Sequence, residues 1–304
     1  MPGRSPRERD GGSWPPRSRV RRSTAASGGC RWPGCSRWPG PGSSVARVRV
    51  LRAVLVGLVV VLLVAVAPSP GAAGSDPLPV GTDVDYQLGG AVDRPEHVGI
   101  LVRDRTEDPA EGRYNICYVN AFQTQPDAKR YWRQREGLLL HRRGKLVVDG
   151  RWGEWLFDVR TPTKRKRLAT IVGRWVQGCA DAGFDAVEYD NLDSFTRSKR
   201  LVERRQSLRF ARMLVRRAHR ADLSVGQKNL AGFDGTTIGF DFAVAEECAR
   251  YDECARYVDH FGDQVVMIEY RDRDARRACR DFGASHAIVR RDRALKPSYE
   301  PRYC

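Results

Sequence analysis

Residues 186–191 read Ala186-Val187-Glu188-Tyr189-Asp190-Asn191, and residues 241–247 read Asp241-Phe242-Ala243-Val244-Ala245-Glu246-Glu247. Each is a short run rich in Ala, Val and aromatic residues, with no strict apolar–polar alternation, that closes on carboxylates. Such runs suit parallel strands covered on both faces, whose tips carry the polar groups. Working outward, similar runs recur at 84–88, 98–102, 115–120, 224–229, 264–270 and 285–290, which makes eight. Helical patterns lie between several of them, at 164–182, 202–221, Cys254–Phe261 and Asp272–Phe282. In the second pattern Leu208, Ala211, Leu214, Val215 and Ala218 form a core-facing stripe, while Arg205, Arg209, Arg212, Arg216 and Arg220 gather on another side and read as a solvated face. Alternation of this kind suggests an open doubly wound sheet or a closed barrel, and the count of eight favours an α/β fold of the (β/α)8 TIM-barrel type, one domain over residues 75–304.

The part preceding that domain is different in kind. Of the net +16, the first 74 residues contribute +10, from twelve Arg against Glu8 and Asp10, leaving +6 for the rest of the 304-residue chain. The basic balance is therefore a property of the N-terminus, and a nucleic-acid partner is not expected of the domain. Residues 1–45, rich in Arg, Pro, Gly and Ser, have no hydrophobic period and read as a disordered prefix. Residues 46–74 carry Arg47, Arg49 and Arg52, an uncharged apolar run from 53 to 67, then Pro68, Pro70 and the small residues Gly71 to Gly74. That is the order of a secretory signal, and the run is short of the roughly 20 residues of a membrane span, so a cleaved signal peptide is favoured over a retained anchor. The prefix is long for a signal, and translation starting further in, near Val45 or Val48, is the alternative reading. A secreted protein, with membrane attachment only if this segment stays uncleaved, is the expectation.

Export alters the reading of the eight cysteines. Cys30 and Cys35 fall in the prefix, and six remain, an even number that suggests disulfides in an oxidising compartment. The local pair Cys248 and Cys254 and the late pair Cys279 and Cys304 are preferred, with Cys117 and Cys179 left by elimination. The mature chain has no CxxC pair, and none of the five His has ligand spacing beside a Cys, so no metal is expected. Neither GxGxxG after the first strand nor GxxxxGK[ST] occurs, and no cofactor is indicated.

In a barrel the site lies at the C-terminal strand ends, where these strands carry Asp190, Asn191 and Asp193; Lys228 and Asn229; Glu246; and Glu269 and Tyr270. Two carboxylates across a cleft are what glycoside hydrolysis needs, one as acid and one as nucleophile or base. Asp190 and Glu246, two strands apart, are the candidate pair. Lys228 is placed to hold Asp190 ionised, and the irregular segment 123–160, with Trp132, Trp152 and Trp155, reads as a lid or cleft wall or as core.

The strings Asp190-Asn191-Leu192-Asp193, Ser224-Val225-Gly226-Gln227-Lys228-Asn229, Asp241 to Cys248 and Val266-Met267-Ile268-Glu269-Tyr270 resemble glycoside hydrolase family 114, the endo-α-1,4-polygalactosaminidase type. Upstream, Tyr86-Gln87-Leu88, Ile116-Cys117-Tyr118 and Trp155-Leu156-Phe157-Asp158-Val159-Arg160 match the family's early blocks in order, so the likeness spans roughly residues 83 to 290. The resemblance implies a (β/α)8 barrel, secretion, and endo-hydrolysis of an α-1,4-linked galactosamine-containing polysaccharide, with Asp190 and Glu246 as the catalytic pair. Substrate contacts are expected from Tyr86, Tyr118, Asp158, Asn191, Asp193, Lys228, Asn229, Glu269 and Tyr270, with Trp155 a further stacking candidate. A monomer whose only partner is its polysaccharide is the corresponding expectation, and a carbohydrate-binding barrel without turnover is the alternative. The chain departs from the family pattern at Ala245 and Glu247, where Asn and Gln flank the second carboxylate, and at Tyr189 and Asn120, in place of Pro and Ser. Loss of an amide at 245 is expected to remove a hydrogen bond that orients substrate or the acid.

Overall fold

The computed structural model describes residues 76–304. The prefix and the signal or anchor segment lie outside the described residues, and among those described no helix is long and apolar enough to cross a membrane.

Eight parallel strands follow one another around a nearly closed sheet: β1 (Val84–Gln87), β2 (Ile100–Asp104), β3 (Tyr114–Asn120), β4 (Ala186–Asp190), β5 (Ser224–Lys228), β6 (Phe242–Glu246), β7 (Val265–Glu269) and β8 (Ala287–Arg290). A short ninth, β9 (Arg302–Tyr303), returns antiparallel on β8. Sequential parallel pairing runs through the whole series, for example Asn120 opposite Asp190 and Glu246 opposite Ile268. The seam between β1 and β8 is bridged by Arg291, fully buried just past β8, which donates to the Asp85 carboxylate and the Tyr86 carbonyl oxygen. Arg94 completes this pairing, its Nε 2.6 Å from Asp85 Oδ2. The fold class is the one the sequence implies.

Among the described residues, four helices of eight or more residues pack outside: α1 (Pro162–Ala182), α2 (Arg204–His219), α3 (Cys254–Phe261) and α4 (Asp272–Phe282). Their ends follow local chemistry. At the start of α1 the Thr161 hydroxyl accepts from the Lys164 N–H and Pro162 supplies the preset φ, while Gly183 at φ 92° ends it. Glu203 and Gln206 form a reciprocal capping box at the start of α2. The connections β1–β2 and β2–β3 hold no helix, and β5–β6 holds only the 3-10 turn Gly235–Ile238.

Strand alternation sorts the buried side chains into two sets. Val84, Tyr86, Ile116, Tyr118, Ala186, Phe242, Val244, Val266 and Ile268 belong to one cluster that fills the barrel. Cys117, Val119, Val187, Tyr189, Val225, Ala243, Ala245 and Met267 face outward and pack with the helices. Gly226 is part of the interior row because the Phe242 ring on the neighbouring strand occupies the space its Cβ would fill, at 2.5 Å. The preferred disulfides Cys248–Cys254 and Cys279–Cys304 are formed, as is Cys117–Cys179, the pair left by elimination. The last of them fastens the C-terminus to α4. The segment 123–160 forms two small hairpins and a short helix; Trp132 and Trp155 are buried in it, whereas Trp152 is 45% exposed.

Candidate functional site

The inward row of each strand ends at the C-terminal mouth, and three of these rows, on β4, β5 and β6, carry the charged groups. On β4 the sequence Ala186-Val187-Glu188-Tyr189-Asp190 puts both Glu188 and Asp190 on the inward side, since they share the alternation of Ala186. Lys228 of β5 rises between them and Glu246 of β6. Its Nζ lies 2.9 Å from Glu188 Oε1, 3.5 Å from Asp190 Oδ1 and 3.6 Å from Glu246 Oε2. Burial opposes a charge on Lys228, but Asp190, Glu188 and Glu246 together outweigh it and hold the ammonium well above its ordinary pKa.

Three tyrosines complete the cluster. Tyr86 donates its phenol to Glu188 Oε1 at 2.7 Å and accepts from Lys228 at 2.8 Å. Tyr118 donates to Asp190 Oδ2 at 2.5 Å. Tyr270, the residue after β7, donates to Glu246. Burial foremost, and then the neighbouring carboxylates, push all three phenols upward, so they remain protonated donors. Asp190 is 7% exposed, and burial raises its pKa while Lys228 and the Tyr118 hydrogen bond pull it down. Its Oδ1 is buried and makes no hydrogen bond, facing the Lys228 ammonium at 3.5 Å. The Glu246 side chain, at 21%, is more exposed, and its backbone N–H donates to Asn229 Oδ1 at 3.1 Å.

Above this cluster lies a cleft of two lobes. One, of about 510 Å³, is bordered by Tyr86, Tyr118, Asp190, Lys228, Glu154 and Tyr270 among others. The second, of about 420 Å³, is bordered by Asp193, Asn229, Glu247, Tyr251 and Arg197 among others. Trp152, Asn191, Glu246 and Arg293 line both and mark the junction.

Of the sequence candidates, Asp190, Glu246, Tyr86, Tyr118, Asn191, Asp193, Lys228, Asn229 and Tyr270 are brought together on this cleft. Two are not. Glu269 shares the alternation of Val265 and Met267, so it turns outward; fully buried, it accepts from the Ala249 N–H at 2.7 Å, and burial pushes its carboxyl up to about 7. Asp158 follows the second hairpin and binds Arg160 and Lys164 at the start of α1, at 2.8 and 2.6 Å. Burial opposes its charge, yet those hydrogen bonds bring it down to about 2. Trp155 is core, and the exposed aromatics on the cleft are Trp152 and Tyr251, the latter 54% exposed.

The departures from the family pattern also resolve. Ala245 and Tyr189 face the helices, Tyr189 donating to the Leu214 carbonyl, so neither side chain reaches the cleft. An amide at 245 would not orient a ligand. Glu247 lies at the rim, held by Arg250 at 2.6 Å and Arg293 at 2.5 Å, and these contacts bring its pKa below the ordinary value against the effect of burial.

Sequence reasoning missed Glu188, Glu154 and Arg293, and left Trp152 open between cleft wall and core. Glu188 was within reach, because it sits two residues before Asp190 and so on the same face. Glu154, in the second hairpin, is 8% exposed, accepts from Gln123 at 2.7 Å, and is pushed up to about 7 by burial. No period signals the other three, which come from irregular connections.

No curated protein matches the chain. Among solved structures it is similar to Aspergillus fumigatus Ega3, solved in complex with galactosamine, at 23% identity over 76% of this chain and 98% of that one, with a TM-score of 0.62. It is also similar to the glycoside hydrolase domain of PelA from Pseudomonas aeruginosa, at 17% identity over 72% of this chain and 97% of that one, with a TM-score of 0.51. Both likenesses agree with the barrel. The family model of glycoside-hydrolase family GH114 matches residues 65–304, the whole of the domain whose cleft holds Asp190 and Glu246, and the chain belongs to that family.

Proposed function

We propose that the protein is a secreted, monomeric endo-glycosidase that cleaves α-1,4-linked galactosamine-containing polysaccharide, with Asp190 as nucleophile and Glu246 as acid and base. The observation that carries this reading is the sharing of one buried ammonium, Lys228, by two carboxylates at the mouth of the barrel. Asp190 is the deeper and more firmly held, with Tyr118 on one oxygen and Lys228 near the other, which suits a group that must attack from a fixed position. Glu246 is the more exposed, which suits a group that gives a proton to the leaving oxygen and takes one from water in the next step. Tyr270 positions it.

A cleft continuing on both sides of Glu246 fits internal cleavage of a long polymer. The exposed Trp152 and Tyr251 offer apolar faces for sugar rings. Galactosamine as substrate is supported by the family and by the galactosamine-bound relative. Export is supported by the basic–apolar–small order of residues 46–74 and by three disulfides.

The test is product release from galactosaminogalactan, before and after deacetylation, by the mature protein with its disulfides formed. Oligosaccharides from wild type, with turnover lost in Asp190→Asn and in Glu246→Gln while binding persists, are expected. Binding without release by wild type would instead establish a non-catalytic barrel.

A further inference from the structure

The arginines of the outer helices fall into two kinds. On α4, Arg273, Arg277 and Arg280 each have a carboxylate partner, Asp274 at 3.0 Å, Asp252 at 3.8 Å and Asp281 at 3.3 Å. On α2, Arg209, Arg212, Arg216 and Arg220 are exposed, and among the described residues no carboxylate lies within 4 Å of any of them. The same holds for Lys166, Arg167 and Arg174 on α1. The two helices precede the parallel strands β4 and β5, so they run parallel to each other. They also touch: Arg217 of α2 reaches across α1, its Cδ 2.7 Å from where a Cβ on Gly173 would sit. Eight positive charges therefore share one flank, more than the +6 net of residues 75–304, and the rest of the domain is net negative. The acidic residues of these helices stand at their ends, Glu203 paired with Arg205 and Asp181 accepting from Gln177 at 2.9 Å.

By itself the α2 row reads as a solvated face, but doubled by α1 it becomes a field. Like charges three and four residues apart repel along a helix, and gathering them on one side costs stability unless a counter-charge takes them up. The face is a plane and not a groove, and no aromatic or large apolar side chain is exposed on either helix. Two helices abreast, each about 10 Å across, are too broad for a DNA major groove about 12 Å wide, and single strands call for aromatic stacking platforms. Guanidinium groups spread over a plane match phosphates spread over a plane. We propose that the α1–α2 flank docks the protein on a bilayer of anionic phospholipid, through charge alone and without insertion. The flank runs along the barrel and the cleft opens at its end, so docking leaves Asp190 and Glu246 accessible and turns the mouth along the membrane. Retention at the cell surface then needs no uncleaved anchor.

The experiment is co-sedimentation of the mature protein, disulfides formed, with vesicles of phosphatidylcholine alone or with about one part in three phosphatidylglycerol. Binding to the anionic vesicles only, falling steeply with added salt, is expected. Arg209→Gln combined with Arg212→Gln and Arg216→Gln should weaken it by about a hundredfold, while Lys at the same three positions should keep most of it. Arg273→Gln combined with Arg277→Gln and Arg280→Gln, the same loss of charge on α4, should leave it unchanged. Thermal unfolding identifies a variant that has merely lost its fold, and the wild-type comparison of the two vesicles stands without it. No binding to anionic vesicles overturns the proposal, and so does an equal loss in the α2 and α4 variants, which would assign the effect to net charge. Binding to duplex DNA or polyphosphate in place of vesicles also overturns it and gives the flank to a linear polyanion. The α2 variant should hydrolyse soluble polysaccharide as wild type does, so failure here leaves the glycosidase reading intact.

Discussion

The Lys228 ammonium and the Glu188 carboxylate form an ion pair 2.9 Å apart in the barrel mouth, with side chains 3% and 0% exposed. A pair this deep is costly to desolvate, and its value lies less in net stability than in what the ammonium does next. One positive charge faces three carboxylates, and at Asp190 it opposes the rise in pKa that burial and the Glu246 carboxylate cause.

Lys228→Met is therefore expected to fail in two measurable ways. Loss of one partner of a buried pair costs roughly 3 to 5 kcal/mol, a fall of about 6 to 20 °C in Tm for a domain of this size. The Asp190 carboxyl, already raised by burial, loses the charge that lowers it and rises further. With Asp190 as the proposed nucleophile, attacking as the anion, activity is expected to be lost as pH falls through its pKa, and the acid limb of the kcat/KM profile to move to higher pH. Glu188→Gln leaves Lys228 with two carboxylates and should show the smaller loss in both. An unmoved acid limb in a folded Lys228→Met would sink this account of Asp190.

The outcome at the anomeric carbon follows from the same ammonium. Asp190 Oδ1 and Glu246 Oε2, each within 3.6 Å of Lys228 Nζ, are roughly 7 Å apart at most, a bound that contains the 5 to 5.5 Å of retaining pairs and only the lower end of the inverting range of about 6.5 to 9.5 Å. Retention is expected. Proton NMR of the first products, before mutarotation, should show the α anomer; a β product assigns Glu246 or Asp190 to activating water instead.

Much of this arrangement was legible in the sequence, and the failures have one cause. Parallel strands buried on both faces leave unbroken apolar runs, and eight such runs, four of them closing on Asn or Glu, announce a barrel and its rim. Runs without alternation, however, do not say which residues point inward. Glu269 and Tyr270 are adjacent, and only Tyr270 reaches the cleft, because Glu269 keeps step with Met267 under the helices. Asp158, in an irregular connection, was read as a site residue for its neighbours in a motif, whereas it anchors the first turn of α1. Trp152 and Arg293 lie in connections whose conformation no period encodes.

Glu269 gives a stability prediction with a definite sign. Its folded-state pKa of about 7 exceeds that of an unfolded glutamate, so between roughly pH 4.5 and 7 the folded protein holds a proton the unfolded chain has released. Stability then falls as pH rises through that window and this contribution is flat on either side. Glu269→Gln keeps an oxygen to accept from the Ala249 N–H and removes the titration. The variant should gain on wild type by a few degrees in Tm between pH 5 and 7.5, read by thermal unfolding at fixed ionic strength. Parallel pH profiles for the two proteins would show that Glu269 is not the titrating group.

Restoring the family's residue at 245 tests the inward–outward assignment directly. If the side chain at 245 faced the cleft, Ala245→Asn would return a ligand-orienting hydrogen bond and raise kcat. Ala245 is instead fully buried, opposite Met267 on β7 and among the side chains that pack under the helices. An amide introduced there enters an apolar layer, and an unsatisfied polar group costs about 1 to 3 kcal/mol. Steric crowding in a packed core adds to that. The expected result is a Tm lower by several degrees with kcat no higher than wild type, measured on the same deacetylated polymer. A rise in kcat at unchanged stability would mean that β6 presents Ala245 to the substrate and Glu246 to the helices, which would remove Glu246 from the catalytic pair.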